Sequence, residues 1–297
     1  MPAGSRRSGH RSLVSRIAYV AGQYLPHRQA AVHIEDRGFQ FADGVYEVVC
    51  IRQGRLIDED GHLDRLDRSL QELRITWPCD RRVLRLIMRR LLERNGVRDG
   101  LIYLQVTRGV APRDFRFPAA ARPTLVMTTR RAALAPHART GVRVITIPDI
   151  RWKRRDIKSV GLLPQVLGKQ EAAERGAFEA WQVDEGGFVT EGTSSNAWIL
   201  TADGALVTRP ASHEILNGIT RQSILRIAAA EGLRFEQRPF SLEEAFAARE
   251  AFLSSATSFV TPILQIDDRM VGDGTPGPLG RRLLEAYVAH ASGAGAT

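Results

Sequence analysis

Apolar positions change their spacing along the first third of the chain. Residues 17–20 and 23–25 are short apolar-rich stretches on either side of Gly22, which predicts two strands joined by a tight turn. Residues 31–34 predict a further short strand. Between residues 62 and 75 leucines recur at intervals of three and four, so this segment is predicted to be a helix with one apolar stripe.

A second helix and two more strands follow. Residues 82–94 are amphipathic and predict a helix, while residues 101–107 and 123–129 predict strands. The loop between these strands is long, bounded by prolines and rich in arginine, so we expect it to be a functional, anion-facing loop. Residues 134–140, which include Pro136, predict a linker.

Strands and helices continue to alternate beyond this segment. A strand at 141–147, a helix at 162–175 and a helix that ends near Glu231-Gly232 are followed by a strand that runs into a small-residue turn over 251–258 and a terminal helix at 280–291. This alternation predicts a mixed α/β fold with two domains. The predicted organisation is a disordered basic tail at 1–15, a small N-terminal domain at 16–133, a linker at 134–140 and a larger C-terminal domain at 141–297.

Composition narrows the class of protein. No apolar run approaches membrane-spanning length, the N-terminus lacks the apolar core of a secretory signal, and two cysteines make no disulfide framework. We therefore expect a cytoplasmic protein without a membrane partner.

The net charge is +9, but the 42 lysines and arginines are scattered and not interleaved with aromatic residues. Solvated basic faces are the favoured interpretation, and a non-catalytic nucleic-acid-binding protein is the alternative. The seven histidines show no metal-ligand spacing, so no metal site is predicted.

The stretch from 156 to 196 holds the most informative pair of side chains. Lys158 precedes the predicted helix at 162–175, and Glu191 stands at the end of the next predicted strand. The two side chains are therefore expected to face one pocket, although each taken alone is an ordinary surface lysine or turn carboxylate.

Two further segments predict anion sites. The glycine-containing start of the helix after Leu216 leaves free backbone N–H groups, which bind anions. The small-residue turn at 254–258 lets backbone N–H groups approach a ligand.

Seven motifs in this order resemble the branched-chain and D-amino-acid aminotransferase family, the fold-type-IV pyridoxal-phosphate enzymes, and within it the D-amino-acid transaminase branch. The similarity runs from Ile17 to about Tyr287. It implies a two-domain α/β fold with the cofactor at the domain interface. The motifs are Asp36–Phe41, Asp43–Val48, His62–Leu66, Gln105–Gly109, Asp156–Ser159, Thr190–Asn196 and Leu216–Arg221.

The resemblance implies a role for each residue around the cofactor. Lys158 would carry pyridoxal 5'-phosphate as a Schiff base and later move the substrate Cα proton, and Glu191 would keep the pyridine nitrogen protonated. Arg65 and the backbone N–H groups of Ile219 and Thr220 would bind the phosphate. Ala256 stands where the family often has a threonine hydroxyl. The implied cofactor-binding residues are Arg65, Lys158, Glu191, Leu216, Ile219, Thr220, Ser255, Ala256 and Thr257.

The resemblance also implies the substrate site. Tyr46 and Arg113 match two residues that hold the substrate carboxylate in D-amino-acid transaminases, together with Ser194 and Ser195 nearby, but Phe115 replaces the family's histidine and cannot donate a hydrogen bond. The expected reaction transfers an amino group between a D-amino acid of the D-alanine type and 2-oxoglutarate or pyruvate. An L-branched-chain aminotransferase and an aminodeoxychorismate lyase-like enzyme are the alternatives. A homodimer is expected, in which a neighbouring subunit supplies the loop that holds Arg113.

Overall fold

The N-terminal half of the chain builds an antiparallel sheet. The computed structural model describes residues 16–133 and 135–292, so the predicted tail at 1–15 lies outside the described residues. The strand order is β2-β1-β6-β5-β3-β4, and every neighbouring pair is antiparallel. The strands are β1 (Ile17–Val20), β2 (Gln23–Pro26), β3 (Gly44–Arg52), β4 (Arg55–Leu56), β5 (Gly100–Thr107) and β6 (Thr124–Arg131).

Three helices accompany this sheet: α1 (Arg37–Phe41), α2 (Glu59–Glu72) and α3 (Arg81–Asn95). The predicted apolar stripe is confirmed, because Leu63, Leu66 and Leu70 are buried in the core between α2 and the sheet. The predicted strand at 31–34 is wrong. Ile34 is 75% exposed and the segment pairs with no strand of the described chain, since a short apolar stretch forms a strand only where a partner is available.

The C-terminal half builds a larger, mixed sheet, so the predicted α/β class is confirmed. Along the order β12-β11-β10-β13-β14-β7-β8-β9, three pairs are parallel, β11 with β12, β14 with β7 and β7 with β8, and β15 pairs with β14. The strands are β7 (Val142–Pro148), β8 (Glu179–Val183), β9 (Val189–Gly192), β10 (Asn196–Leu200), β11 (Leu206–Thr208), β12 (Phe235–Gln237), β13 (Glu250–Ser255), β14 (Phe259–Ile266) and β15 (Arg269–Met270).

Four helices belong to this half: α4 (Leu163–Glu174), α5 (Ile219–Ala230), α6 (Leu242–Phe246) and α7 (Pro278–Ser292). Glu191 lies on β9, the second strand after α4 and not the next one, because β8 and β9 form a hairpin. Residues 135–140 form turns between β6 and β7, and the domain boundary at this segment stays a prediction. None of the helices in the described ranges is long and apolar enough to cross a membrane.

The two halves are joined by main-chain hydrogen bonds beside the candidate lysine. The Tyr46 N–H donates to the Lys158 carbonyl over 3.0 Å, and the Val160 N–H donates to the Gly44 carbonyl over 3.0 Å. Residues 158–160 thus pair with β3 of the first sheet although they follow β7 of the second. The segment that holds Lys158 therefore lies where the two sheets meet.

Candidate active site

A cavity of about 210 Å³ lies between the two sheets and gathers the predicted site residues. Its walls come from β3 and α2 on one side, and from the segments after β7, β9, β13 and before α5 on the other. Arg113 is the one predicted site residue that does not line it. The predicted residues that do are Tyr46, Arg65, Lys158, Glu191, Ser194, Ser195, Leu216, Ile219, Thr220, Ser255, Ala256 and Thr257.

Lys158 presents a free amine to this cavity. Its backbone is fixed on both sides, since its N–H donates to the Ser69 hydroxyl over 3.3 Å and its carbonyl accepts from Tyr46. The Nζ atom lies 4.2 Å from the centre of the Tyr46 ring. It has no hydrogen-bond or carboxylate partner among the residues the structure describes. The chain has only three lysines, and Lys158 is the one that lines the cavity.

Arg65 is held by a buried carboxylate that the sequence analysis did not single out. Glu47 accepts from Arg65 Nε over 2.8 Å and from a second guanidinium nitrogen over 2.9 Å. It also contacts His62 Nδ1 over 2.7 Å. Burial alone would raise the pKa of Glu47, but the Arg65 guanidinium and His62 hold it well below its usual range. The third Arg65 bond goes to the Asn217 carbonyl, so two of the five N–H groups of the guanidinium stay available to an anion.

The start of α5 forms one wall beside Arg65. A Cβ atom on Gly218 would lie 2.1 Å from Asn196 Oδ1, so a glycine is needed for the chain to pass there. The N–H groups of Ile219 and Thr220 donate to no acceptor in the described part of the chain, because they belong to the first turn of the helix. Free N–H groups and a nearby guanidinium give this wall the donors that an anion such as phosphate needs.

The small-residue turn after β13, residues 254–258, faces the same cavity. The Ser255 hydroxyl accepts from the Ser258 N–H over 3.1 Å and lies 3.2 Å from the Thr257 hydroxyl. Ala256 between them has only its backbone N–H to offer as a donor. This turn therefore stabilises itself through its hydroxyls and can present main-chain N–H groups to an anion.

Glu191 lies at another wall and is buried in a network of donors. The Leu216 N–H donates to both of its oxygens over 3.1 Å, and Asn196 Nδ2 donates over 3.0 Å. The Arg151 guanidinium also contacts the carboxylate and binds Asp149 over 2.7 Å. Burial raises the pKa of Glu191, and the Arg151 guanidinium opposes this shift. A carboxylate has roughly four lone-pair sites, and here one donor, the Leu216 N–H, is shared between both oxygens. A further donor, such as a protonated ring nitrogen, can therefore be accepted in place of one half of this shared bond.

The sequence analysis missed Arg151 and Asn196. Arg151 lies beside Glu191 only because β7 and β9 both flank β8, a relation that sequence spacing does not reveal. Asn196 ended a motif that was recognised, but nothing in the motif indicated that its amide would bridge Glu191 and the Leu216 carbonyl.

Arg113 lies outside the cavity. Its guanidinium stacks over the Phe41 ring at 4.6 Å, and the Phe115 ring packs on the same residue at 5.4 Å. Phe115 is 84% exposed. Within one chain the structure therefore does not bring Arg113 together with Tyr46.

Known proteins are similar to this chain in sequence and in fold. The family model for class IV amino-transferases matches residues 44–266. The D-alanine aminotransferase of Bacillus licheniformis is 40% identical over 266 residues, which cover 89% of this chain and 93% of that protein.

Solved structures are similar over nearly the whole chain. The branched-chain amino acid aminotransferase of Escherichia coli superposes with a TM-score of 0.86 at 22% identity, covering 94% of this chain and 95% of that one. The branched-chain aminotransferase of the archaeon Thermoproteus uzoniensis, solved with norvaline, has a TM-score of 0.85 at 24% identity, with coverages of 95% and 96%. Both of these similarities bear on the fold alone.

Proposed function

Because this chain belongs to the class IV aminotransferase family, we propose that it transfers the amino group of a D-amino acid of the D-alanine type to 2-oxoglutarate or pyruvate. Pyridoxal 5'-phosphate is the cofactor in this proposal, bound covalently to Lys158. What most supports the D-alanine assignment is the 40% identity to a D-alanine aminotransferase over 89% of the chain.

The charged groups around the cavity match the phosphate, the ring nitrogen and the aldehyde of this cofactor. Arg65 and the free N–H groups at the start of α5 would hold the phosphate. Glu191 would accept from the protonated ring nitrogen, and Leu216 would pack against the ring. Lys158 supplies the amine, since the other two lysines of the chain do not line this cavity. Ser255, Ala256 and Thr257 would form a second part of the anion cradle.

The protein's own groups then have distinct tasks. The cofactor, when bound, supplies an electron sink for the negative charge that develops at the substrate Cα. Lys158 moves the Cα proton, and its unpartnered amine above the Tyr46 ring can act as base or acid there. Glu191 would hold the proton at the ring nitrogen, and Arg151 orients the Glu191 carboxylate through a buried ion pair. The Ser194 and Ser195 segment borders the substrate.

Substrate specificity is the first experimental test. We expect oxo-acid formation from D-alanine, and little from L-leucine or from aminodeoxychorismate, because the chain is so similar to D-alanine aminotransferases. A panel of D- and L-amino acids with 2-oxoglutarate as the acceptor measures this directly, because D-alanine with pyruvate would only regenerate the same two compounds. Turnover of L-leucine alone would favour an L-branched-chain aminotransferase, and pyruvate released from aminodeoxychorismate without an acceptor would favour a lyase.

Capture of the substrate carboxylate by Tyr46 and Arg113 requires a second copy of the chain, since Arg113 does not reach the cavity of its own. We therefore propose a homodimer. In support, the α1 segment and the Arg113 loop carry exposed apolar side chains, with Phe39 at 74%, Phe115 at 84% and Ile34 at 75% exposure. Exposed apolar patches of this kind are typical of protein interfaces.

Mixed dimers test whether Arg113 acts across the interface. R113A and K158A are each expected to be nearly inactive, the first because it loses a charged hydrogen bond to the substrate. When the two variants are refolded together, half of the dimers combine them, and one site in each carries both native residues. We expect about a quarter of wild-type activity to return. No recovery, with dimers confirmed by light scattering, would show that Arg113 does not act in trans.

A further inference from the structure

Glu179 is a buried carboxylate to which the loop before β10 is hydrogen-bonded. It is the first residue of β8 and is 1% exposed. Its oxygens accept from the hydroxyls of all three consecutive loop residues. Ser194 donates over 2.9 Å, Ser195 donates over 3.1 Å, and Thr193 donates to the other oxygen.

One lysine ammonium group also compensates the charge of this carboxylate. Lys169 Nζ lies 3.3 Å from it, but the Lys169 side chain is 42% exposed and also donates to the Phe178 carbonyl over 2.6 Å. A buried carboxylate is costly unless hydrogen bonds compensate it. The three hydroxyls are therefore strongly held as donors to Glu179, and their protons are not available to a ligand.

The loop backbone is fixed at the same time. The Thr193 N–H donates to the Ala180 carbonyl over 3.0 Å, and the Gly192 N–H donates to the Ser195 carbonyl over 2.8 Å. A Cβ atom on Gly192 would lie 2.4 Å from the Ser195 hydroxyl oxygen and 3.2 Å from Glu179 Cγ. Glycine at this position thus lets the loop close onto the carboxylate.

The fixed loop lines the candidate active site. Thr193, Ser194 and Ser195 all border the cavity, whereas Glu179 does not. The N–H groups of Ser194 and Ser195 have no acceptor within the described residues. With the hydroxyl protons committed to Glu179, the donors that this loop can still offer are these two main-chain N–H groups.

We propose that Glu179 is a positioning residue for substrate binding. It holds the Thr193–Ser195 loop in one conformation and keeps the three hydroxyls as donors to itself. The loop therefore presents main-chain donors, and not hydroxyl donors, to an anionic group of the substrate. This inference rests on the proposed function in one respect, that the amino acid and the 2-oxo acid bind in this cavity.

The isosteric variant E179Q tests the proposal. Its amide nitrogen cannot accept from a hydroxyl, so at least one hydroxyl must turn its proton away from residue 179. We expect KM for the amino donor to rise about tenfold while kcat stays within about threefold, which corresponds to one lost hydrogen bond to a charged group. E250Q is the matched control. Glu250 is another buried carboxylate, which accepts from the Leu279 and Gly280 N–H groups away from the cavity, and its variant should lose thermal stability with KM unchanged.

Coupling between Glu179 and the loop separates positioning from a general structural role. We compare E179Q, S195A and the double variant. If Glu179 acts through the loop, KM of the double variant rises by less than the product of the two single effects. An unchanged KM in E179Q, or effects that multiply independently, would overturn the proposal.

Two precautions keep the test decisive. Should E179Q not fold, T193V removes one of the same hydroxyls at nearly constant volume, and its KM is expected to rise while that of E250Q does not. All variants are assayed with whichever amino donor the substrate panel identifies. Failure of D-alanine as a donor would then contradict the proposed function, and the dependence of KM on Glu179 would still be measured.

Discussion

Replacing Lys158 with alanine is expected to lower kcat by about 1,000-fold or more, because the variant loses both the amine that holds the cofactor and the group that moves the Cα proton. Steady-state rates with the best amino donor measure the loss. Reduction of the wild-type holoenzyme with borohydride, followed by peptide mapping, should place the label on Lys158.

Because the chain has only three lysines, the position of the label can be assigned with few competing sites. Only Lys153 and Lys169 compete for the label, and Lys153, which is exposed five residues away, provides the matched variant K153A. K153A should retain wild-type kcat and its visible absorbance. Full turnover by K158A, or a label on Lys153 or Lys169, would contradict the assignment of the reactive amine.

The second large effect is expected from E191Q, with kcat lowered about 100-fold. A neutral amide cannot stabilise a protonated ring nitrogen as a carboxylate does, and the loss of such a charged hydrogen bond costs about 2 to 3 kcal/mol. The measurement is kcat for both half-reactions together with the pH dependence of the visible band. An unchanged kcat would show that Glu191 does not hold the ring nitrogen.

Asp149 provides the control for this variant. It binds the same Arg151 guanidinium but does not line the cavity. D149N therefore removes a negative charge from the same buried cluster and should lower the free energy of unfolding by about 2 kcal/mol, while kcat stays within about threefold. Equal losses of kcat in both variants would assign the effect to the charge balance of Arg151.

Most regular elements could be predicted from local pattern, and the exceptions have physical reasons. The leucine stripe of α2 and the amphipathic pattern of α3 are short-range signals, and both are confirmed. The long central strand β14 was not predicted. It contains Pro262 and begins at Phe259 with a positive φ of 53°, both of which argue locally against a strand. Its pairing with β13 and β7 overrides that local preference.

The candidate site divides in the same way. Residues that fall within recognisable motifs, such as Lys158, Glu191 and Thr220, could be named from the sequence, and the structure brings them to one cavity. The contacts that support them could not. In the sequence, Glu47 lies 18 residues from Arg65 and Glu179 lies 16 residues from Ser195. Only the packing of α2 on β3 and the β8–β9 hairpin bring these side chains into contact. The predicted use of Arg113 depends on a second chain.

The pairing of residues 158–160 with β3 has a consequence for how such a scaffold can diversify. The hydrogen bonds that join Tyr46 to Lys158 and Gly44 to Val160 use only main-chain atoms. Apart from Gly44, where a Cβ atom would lie 2.9 Å from the Val106 carbonyl oxygen, side chains on this stretch of β3 can therefore change without displacing the lysine backbone, because every residue except proline carries the same N–H and C=O groups. Natural variation or directed evolution can thus alter the cavity-facing side of β3, including Tyr46, while the backbone of Lys158 keeps its place.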